Sequence, residues 1–330
     1  MALSRVMSRP PLVSVLIPAY RAAPWIAKTI ESALAQTHRP IEVIVVDDGS
    51  PDETGEVART VAVGQPGIVH VYAQSNSGAS SARNHALRLS RGEYVQYLDA
   101  DDLLHPQKIA RQLALAATSV GSGRLLSGEW GRFYGDDLER TEFRPDELWT
   151  DLDAASWQML ALAGNLMVHP AAWLVPRKLA DAAGPWDERL TLNDDGEYFA
   201  RLRFLSGHIP FCAGARSYYR SGLAGSLSSP NSRRALESAF LSHQLIHSLL
   251  LRHRDDRQAR SACAKAWLHF AYAASPISEE LAFAAELEAK RLGGAQVAPP
   301  GGRIFQLAVR LLGRRAAFSL RGRLKSTSSR

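Results

Sequence analysis

The stretch that decides the fold is "GEYVQYLDADD", residues 92–102, in which an apolar run ends on three carboxylates within four positions. Acids this close repel one another and lower stability unless a cation or a water-filled cleft receives them. Asp is also common in turns and at helix N-caps, so a solvated turn is the alternative interpretation. The segments before this stretch favour a cation site or a water-filled cleft over a solvated turn.

Three earlier segments, "LVSVLIP", "IEVIVVDDGS" and "GIVHVYAQ", have the short apolar pattern of buried strands. Helical spacing lies between them, in "APWIAKTIESALAQ", in residues 52–63 and in "SSARNHALRLS". Strands that alternate with helices predict a parallel sheet covered by helices, the α/β class. The polar clusters "PAY", "DDGS", "NSGASSARN" and "DADD" all follow predicted strands, and ligands of such sheets bind beyond the carboxyl ends of the strands. We therefore predict one binding site at this edge.

Beyond the predicted sheet, residues 121–155 are rich in Gly, charge and aromatics and predict further strands and loops of the same domain. The pattern is helical from residue 231 to about residue 274, with a boundary near residues 229–230. We predict one domain over residues 1–229, a helical extension over 230–292, and a linker with a basic tail over 293–330.

The composition, 330 residues with 46% hydrophobic, is that of a globular chain. The two cysteines, Cys212 and Cys263, are too few and too far apart for a disulfide framework. No apolar run has the length of a membrane span, and "MALSRVMSRPPL" lacks the apolar core of a signal peptide. These features predict a cytoplasmic protein.

The net charge of +6 comes mainly from the C-terminal tail, where no acidic residue follows Arg291. Apolar residues of this tail recur at helical spacing, with arginines elsewhere around the helix: Ile304, Phe305, Leu307, Ala308, Leu311 and Leu312 against Arg310, Arg314 and Arg315. Such a helix over residues 303–325 either lies on an anionic membrane, which would place the chain at the inner membrane face, or docks on its own domain with a solvated basic face. Nucleic acid is not an expected partner, although a basic tail can bind it.

Five motifs, "VSVLIPAY", "IEVIVVDDGS", "NSGASSARN", "GEYVQYLDADD" and "GPWDERLTLNDDGEYFARL", together resemble the family 2 glycosyltransferases over residues 12–222. The resemblance implies the GT-A fold, a nucleotide-binding sheet with flanking helices. It implies a donor-binding half at about residues 12–120 and an acceptor-binding half at about residues 121–229, followed here by the C-terminal helical region.

Asp99 and Asp101 match the family's DxD pair, which holds a divalent cation, Mg²⁺ or Mn²⁺, on the donor diphosphate. Hard cations prefer carboxylate oxygens and neutralise the charge that develops on the leaving nucleoside diphosphate. The resemblance makes Asp101 the direct ligand, with Asp99 contacting the ribose or the metal through water.

Donor contacts are implied by resemblance at several further positions. Asp48 matches the acid that accepts a hydrogen bond from the base, which favours UDP or dTDP because N3–H of uracil and thymine is a donor. An Asp-Gly turn after the strand is the structural alternative. The remaining implied donor contacts are Pro18, Ala19 and Tyr20 at the base, Arg83 and Asn84 facing the nucleotide, and Arg220 reaching the diphosphate. Arg83 can pair with phosphate or with a carboxylate of the cleft.

Asp194 and Asp195 take the place of the family's acidic pair, and the second of the pair, Asp195, is the implied general base. An inverting transfer needs a carboxylate to accept the proton of the attacking hydroxyl. Helix-capping acids are the alternative. Trp173 and His169 are either acceptor contacts or interior residues. His243 and His247 lie one helical turn apart and are interpreted as a packed or solvated pair.

The sequence thus predicts an inverting, metal-dependent transfer of a single sugar from a nucleotide-sugar, UDP-linked, to a glycan or lipid-linked acceptor of the cell envelope. The motif of processive synthases, Gln-x-x-Arg-Trp, is missing. The alternative is a non-catalytic nucleotide-sugar-binding scaffold on the same fold. A nucleotidyltransferase is disfavoured because "PAYRAAPW" is not the Gly-rich, basic loop that a triphosphate needs.

Overall fold

The computed structural model describes residues 9–223 and 232–327, with side chains up to residue 318. These residues form two compact units. The first contains residues 9–154, 168–188 and 201–223, and the second contains residues 155–167, 189–200 and 232–327. This division differs from the predicted boundary near residue 229, because two segments of the predicted first domain belong to the second unit.

The elements alternate between strand and helix through the first hundred residues. The strands are β1 Val13–Ala19, β2 Ile41–Asp47, β3 Val69–Ala73, β4 Tyr94–Tyr97, β5 Leu103–Leu104, β6 Ser127–Tyr134, β7 Glu142–Phe143, β8 Leu152–Asp153, β9 Val175–Pro176, β10 His208–Ile209 and β11 Phe211–Ser221. The helices are α1 Ile26–Leu34, α2 Thr54–Val63, α3 Ala79–Leu89, α4 Lys108–Ala116, α5 Ala154–Gly164, α6 Arg177–Ala183, α7 Asp194–Ser206, α8 Arg233–His253, α9 Arg257–Ala274, α10 Glu279–Arg291 and α11 Arg303–Thr327. A short 3₁₀ turn, Pro170–Ala172, precedes β9.

The main sheet has the order β3-β2-β1-β4-β9, and its first four strands run parallel, as predicted. Every residue of β1 and β2 is buried, which is the pattern of central strands with both faces covered. The register pairs Ala19 with Asp47 and Leu16 with Tyr97. The segments after β1, β2 and β4 therefore leave the sheet at the same edge.

A second sheet, β5-β11-β6-β7, begins directly after the acidic stretch that ends at Asp102. β5 pairs antiparallel with β11, which matches Leu104 with Ser217, and β11 runs parallel to β6. This pairing brings the segment around Arg220 to the acids, although the two are more than a hundred residues apart in sequence.

The core of the second unit lies between α8, α9 and α10. Small residues let the helices approach closely, since Ala271, Ala282 and Ala285 are all buried, while Trp267 and Phe270 fill the remaining space. Both cysteines of the chain are buried and free. Within the described residues, no helix combines the length and the hydropathy that crossing a bilayer requires.

Candidate active site

The three acids that follow β4 lie in a tight turn, closed by a hydrogen bond of 3.0 Å from the Asp102 N–H to the Asp99 carbonyl. Thr29 supports the turn, because its hydroxyl donates to the Ala100 carbonyl at 2.9 Å. The acids follow one another in sequence, but their side chains have different partners.

Asp99 has a basic partner. Arg83 of α3 donates from Nη2 to Asp99 Oδ1 at 2.8 Å, and its guanidinium lies over the Trp186 ring, 4.4 Å from the centroid. The Arg83 side chain is buried, and the stacked ring fixes its orientation. Of the two partners predicted for Arg83, the cleft carboxylate is the one present in the structure.

Asp102 is fully buried. Its Oδ1 accepts the Arg220 N–H at 2.9 Å, and its Oδ2 lies 2.8 Å from Nδ1 of His169, whose Nε2 lies 2.8 Å from Ser217 Oγ. Burial, together with the charge of Asp99, raises the pKa of Asp102 well above its usual value. Burial also lowers the pKa of His169 to about 3. With its pKa lowered in this way, His169 is neutral, so its contact with Asp102 is a hydrogen bond rather than an ion pair.

Asp101 remains partly exposed at the edge of the sheet. Burial, followed by the charges of Asp102 and Asp99, raises its pKa to about 8. A carboxyl whose ionised form is destabilised by like charges is a good receptor for a cation.

A divalent cation is compatible with this arrangement. Within residues 9–223 and 232–327, no three His, Cys, Asp or Glu side chains are grouped to hold a metal ion on their own. Mg²⁺, however, is commonly bound by one or two carboxylates together with substrate phosphates. Asp101 and the outer oxygen of Asp99 can supply those carboxylates, whereas Asp102 cannot because it is turned into the interior.

Arg220 was predicted to reach a diphosphate, and the structure shows which protein groups it contacts. Its side chain is buried, with Nε donating to the Asp101 carbonyl at 2.9 Å and the guanidinium 4.5 Å from the centroid of Phe133. Nη1 bonds the Gly135 carbonyl and lies 3.2 Å from Asp136 Oδ1. Arg220 therefore holds the backbone of the acidic turn.

Asp48 follows β2 and is almost fully buried. Its Oδ1 accepts from Gln74 Nε2 and from the Ser77 N–H, both at 2.8 Å, and its Oδ2 accepts from the Gly78 N–H at 2.8 Å. The carboxylate thus fixes the loop before α3, and an oxygen lone pair of Oδ2 remains for a further donor.

The three residues predicted at the base differ in exposure. Pro18 and Ala19 are buried in β1, while Tyr20 is 42% exposed and carries the Arg21 guanidinium 5.3 Å from its ring centroid. Of the three side chains, that of Tyr20 is accessible to a ligand.

Asn84, which was predicted to face the nucleotide, makes three hydrogen bonds within the protein. Its Nδ2 donates to the Trp186 carbonyl at 3.0 Å and to Glu188 Oε1 at 2.9 Å, and its Oδ1 accepts the Trp186 N–H at 2.8 Å. With both donor hydrogens used and the side chain buried, Asn84 anchors the segment that carries Trp186.

Trp173 and His169 were predicted as acceptor contacts or as interior residues, and the structure places both in the interior. Trp173 is buried beneath the Arg203 guanidinium, 5.8 Å from its ring centroid. His169 is enclosed between Asp102 and Ser217. Both side chains are buried, which fits the interior role among the two that were predicted.

Asp194 and Asp195 form the first turn of α7 and belong to the second unit. Asp194 Oδ1 accepts the Asp195 N–H at 3.0 Å, and Asp195 Oδ1 accepts the Gly196 N–H at 2.7 Å. Asn193, in a left-handed conformation with φ 59°, is held by a pair of 2.8 Å hydrogen bonds with Ser242. Both acids are partly exposed at a helix N-terminus, where a negative charge is favoured.

Sequence reasoning missed the residues that support the acidic turn from the second sheet. Ser217 completes the chain from Asp102, and the Trp130 and Tyr219 rings pack beside His169 at centroid distances of 5.6 and 5.4 Å. Arg132 lies over both rings. The alternation in "SYYRS" indicates a strand, but nothing local shows that its partner is the turn at Asp102.

Comparison with known proteins gives the family. The model of the family "Glycosyl transferase family 2" matches residues 14–149. Residues 14–149, less than half of the chain, therefore resemble glycosyl transferase family 2. The matched stretch contains Asp48, Arg83, Asp99 and Asp101, whereas Asp194, Asp195 and Arg220 lie outside it. The predicted family is confirmed.

Relatives of this chain include an uncharacterized glycosyltransferase of Rickettsia typhi, 31% identical over 59% of this chain and 60% of the relative. The putative teichuronic acid biosynthesis glycosyltransferase TuaG of Bacillus subtilis is 43% identical over 31% of this chain and 41% of its own length. The chain spans 27% to 60% of the length of three Rickettsia relatives.

Solved structures with the same fold include S. aureus TarS 1–349 in complex with UDP-GlcNAc, with a TM-score of 0.60 and 17% identity over 86% of this chain and 92% of that one. The mannosyltransferase PcManGT of Pyrobaculum calidifontis, in complex with GDP-Man and Mn²⁺, has a TM-score of 0.54 and 17% identity over 95% of this chain and 87% of that one. These matches confirm the predicted GT-A fold of this chain.

Proposed function

We propose that this chain transfers a single sugar, with inversion, from a nucleotide-sugar to a glycan or lipid-linked acceptor of the cell envelope. The observation that carries the proposal is the state of Asp101. Asp101 is the partly exposed acid of its turn, because Arg83 binds Asp99 and the buried His169 binds Asp102. The pKa of Asp101 is raised to about 8. An accessible carboxyl at the carboxyl edge of a parallel sheet can bind a cation that is also bound to a diphosphate.

The cation, Mg²⁺ or Mn²⁺, would be held by Asp101 and Asp99, and it supplies neutralisation of the charge on the departing nucleoside diphosphate. The protein holds Asp99 in place through Arg83 and the backbone of the turn through Arg220. Rigid support of this kind means that the acids need not reorganise when the donor binds.

The nucleoside would lie at the ends of β1 and β2, on the exposed ring of Tyr20 and beside Asp48. An acceptor lone pair on Asp48 suits N3–H of a uracil or thymine ring, which supports UDP or dTDP as the carrier. TarS, which shares the fold, was solved with UDP-GlcNAc, whereas PcManGT was solved with GDP-Man, so the choice of base needs measurement.

Asp195, with Asp194 beside it, would accept the proton of the attacking acceptor hydroxyl. A carboxylate at a helix N-terminus is oriented by the first N–H groups, as the hydrogen bond from the Gly196 N–H to Asp195 Oδ1 illustrates. The attack on the anomeric carbon forms the new glycosidic bond as the bond to the diphosphate breaks, and the proton passes to the aspartate.

The names of two relatives support the proposed acceptor class. TuaG is named for teichuronic acid biosynthesis, and a chondroitin synthase of Escherichia coli is 42% identical over 32% of this chain and 15% of its own length. Both names concern surface polysaccharides, which supports an envelope glycan or its lipid-linked precursor. A lipid-linked precursor would place the chain at the inner face of the membrane.

Calorimetric titration with UDP, dTDP and GDP, with and without Mn²⁺, tests the proposal. Metal-dependent binding of UDP or dTDP should be lost in Asp101→Ala and retained in Asp181→Ala, a matched exposed aspartate on α6. Hydrolysis or transfer from a bound UDP-sugar should then fall by at least about a hundredfold in Asp195→Asn with binding unchanged. Binding without any turnover would favour the non-catalytic scaffold, and the absence of nucleotide binding would overturn the proposal.

A further inference from the structure

Large apolar side chains of α11 are exposed on one side of the helix. Before Gly313, Ile304 is 88%, Leu307 57%, Leu311 73% and Leu312 54% exposed. At 3.6 residues per turn, these positions cover an arc of roughly 140°. We call these four residues the apolar face of α11. A face of this width is the pattern of a helix that is buried on that side, yet within the described residues nothing covers it.

Other residues of the same helix are covered. Val309 is buried, and the Phe305 ring lies 5.0 Å from the Phe318 ring, centroid to centroid. A straight helix would separate these two positions by about 20 Å along its axis. The chain therefore bends back at Gly313, whose φ of 79° is not helical.

Arg314, directly after the bend, fixes the orientation of the helix. Its Nε donates to Glu286 Oε1 at 2.6 Å, and its Nη1 and Nη2 donate to the two carboxylate oxygens of Glu279 at 2.9 and 3.1 Å. Its Nη1 also bonds Ser275 Oγ. Arg314 is buried, so it is not part of the exposed basic surface that the sequence predicts for it.

The charges around the apolar face have one sign. Arg303 and Arg310 lie next to it on the helix surface and are exposed, as is Arg315. No acidic residue occurs between residue 292 and the C-terminus. The exposed Phe283 lies on the side of α10 that carries Glu279 and Glu286, one turn from each, so it is close to the Arg314 contact.

We propose that the apolar face of α11 inserts into the interfacial region of an anionic bilayer, with Arg303 and Arg310 at the level of the lipid phosphates. The proposal rests on the proposed function in one respect, since it supplies the location where a lipid-linked acceptor would be met. A second copy of the chain is a poorer occupant, because a twofold contact through this face would bring rows of arginines together. Insertion into a bilayer accounts for the exposed apolar side chains, and attraction to anionic headgroups accounts for the neighbouring arginines.

Vesicle sedimentation of the full chain tests this inference. With phosphatidylcholine vesicles that contain about one-third phosphatidylglycerol, the double variant Leu307→Gln/Leu311→Gln should lower the partition coefficient by at least about tenfold. The matched control is Val63→Gln, which changes an 84% exposed valine of α2 and should leave binding unchanged. Arg303→Gln/Arg310→Gln should remove the preference for the anionic vesicles over pure phosphatidylcholine.

Three results would overturn the inference. These are no sedimentation of the wild type, equal sedimentation of the wild type and the leucine double variant, and a wild-type dimer in light scattering that the double variant dissociates. UDP binding measured on the same samples separates the two proposals. If vesicle binding is lost while UDP binding is intact, the transferase proposal is still supported. If vesicles bind but nucleotide does not, membrane insertion of the apolar face of α11 is still supported.

Discussion

Asp102 Oδ2 lies 2.8 Å from His169 Nδ1 in the protein interior, while Asp101, the preceding residue, points to the edge of the sheet. Two neighbouring carboxyls thus have opposite tasks. Asp102 fixes the turn from inside, and its hydrogen bonds to Arg220 N–H and His169 leave Asp101 as the acid that can receive a cation.

The first prediction concerns the pH dependence of metal binding. Because burial and the neighbouring acids raise the pKa of Asp101 to about 8, a proton and Mn²⁺ compete for this carboxyl below that pH. The apparent affinity for Mn²⁺ with UDP should rise about tenfold per unit from pH 6 and level off above about pH 8. Calorimetry at three pH values, in buffers of different ionisation enthalpy, measures both the affinity and the proton released.

Asp181→Asn should keep this slope, and Asp101→Asn should lose both slope and binding. An affinity that stays flat between pH 6 and 8 in the wild type would contradict the role assigned to Asp101.

The second prediction concerns the buried hydrogen bonds behind the acids. His169→Ala removes the partner of Asp102 and leaves a cavity, so it should lower the free energy of unfolding by about 3 kcal/mol. Ser217→Ala removes the hydrogen bond to His169 and a longer one, 3.4 Å, from Ser217 Oγ to the Glu129 carbonyl, and it should cost about 1 kcal/mol. Urea unfolding compares both variants with His253→Ala, at an exposed position of α8 that should change stability little. Equal effects of His169→Ala and His253→Ala would contradict the structural role.

The sheet and its binding edge were predictable from sequence, because the relevant signals are local. Apolar runs of strand length mark β1, β2 and β4, and the polar residues that follow them leave the sheet at one edge. The contact between Arg83 and Asp99 was also within reach, since α3 and β4 are consecutive elements and an arginine fork suits a carboxylate.

The supports of the acidic turn were not predictable in the same way. His169 is 67 positions and Arg220 is 118 positions from Asp102, and only the pairing of β5 with β11 brings them together. A family motif predicts which residue stands at a position, but it does not predict whether that side chain contacts a ligand or another segment of the protein. Asn84 illustrates this, because its amide is used entirely on the Trp186 segment.

The third prediction concerns the attachment of α11. Arg314 is buried, but its two glutamate partners are partly exposed, and Glu279 also lies 4.0 Å from Arg315 Nε. Arg314→Ala removes the charge-assisted hydrogen bonds to both glutamates and should destabilise the second unit by about 2 kcal/mol. Arg315→Ala, at the next position but 86% exposed, should change stability by less than about 0.5 kcal/mol. Hydrogen exchange of the α10 and α11 amides measures the difference locally. Equal protection in the two variants would contradict the assigned attachment.

The last prediction concerns two histidines of α8. His247 is buried with its ring 5.0 Å from that of Trp267, and neither of its ring nitrogens has a hydrogen-bond partner within the described residues. Burial lowers its pKa well below the usual value, and burial likewise lowers the pKa of His243 to about 4. The folded form thus resists a proton that the unfolded chain accepts below about pH 6.5. The stabilisation is complete above that pH and is lost as the pH falls, by up to about 1.4 kcal/mol per unit for each histidine.

In urea unfolding between pH 7 and pH 5, His247→Phe should therefore lose less stability than the wild type. His253→Phe, on the exposed end of the same helix, should behave as the wild type does. The same loss in all three proteins would show that His247 takes up its proton in the folded state as easily as in the unfolded chain.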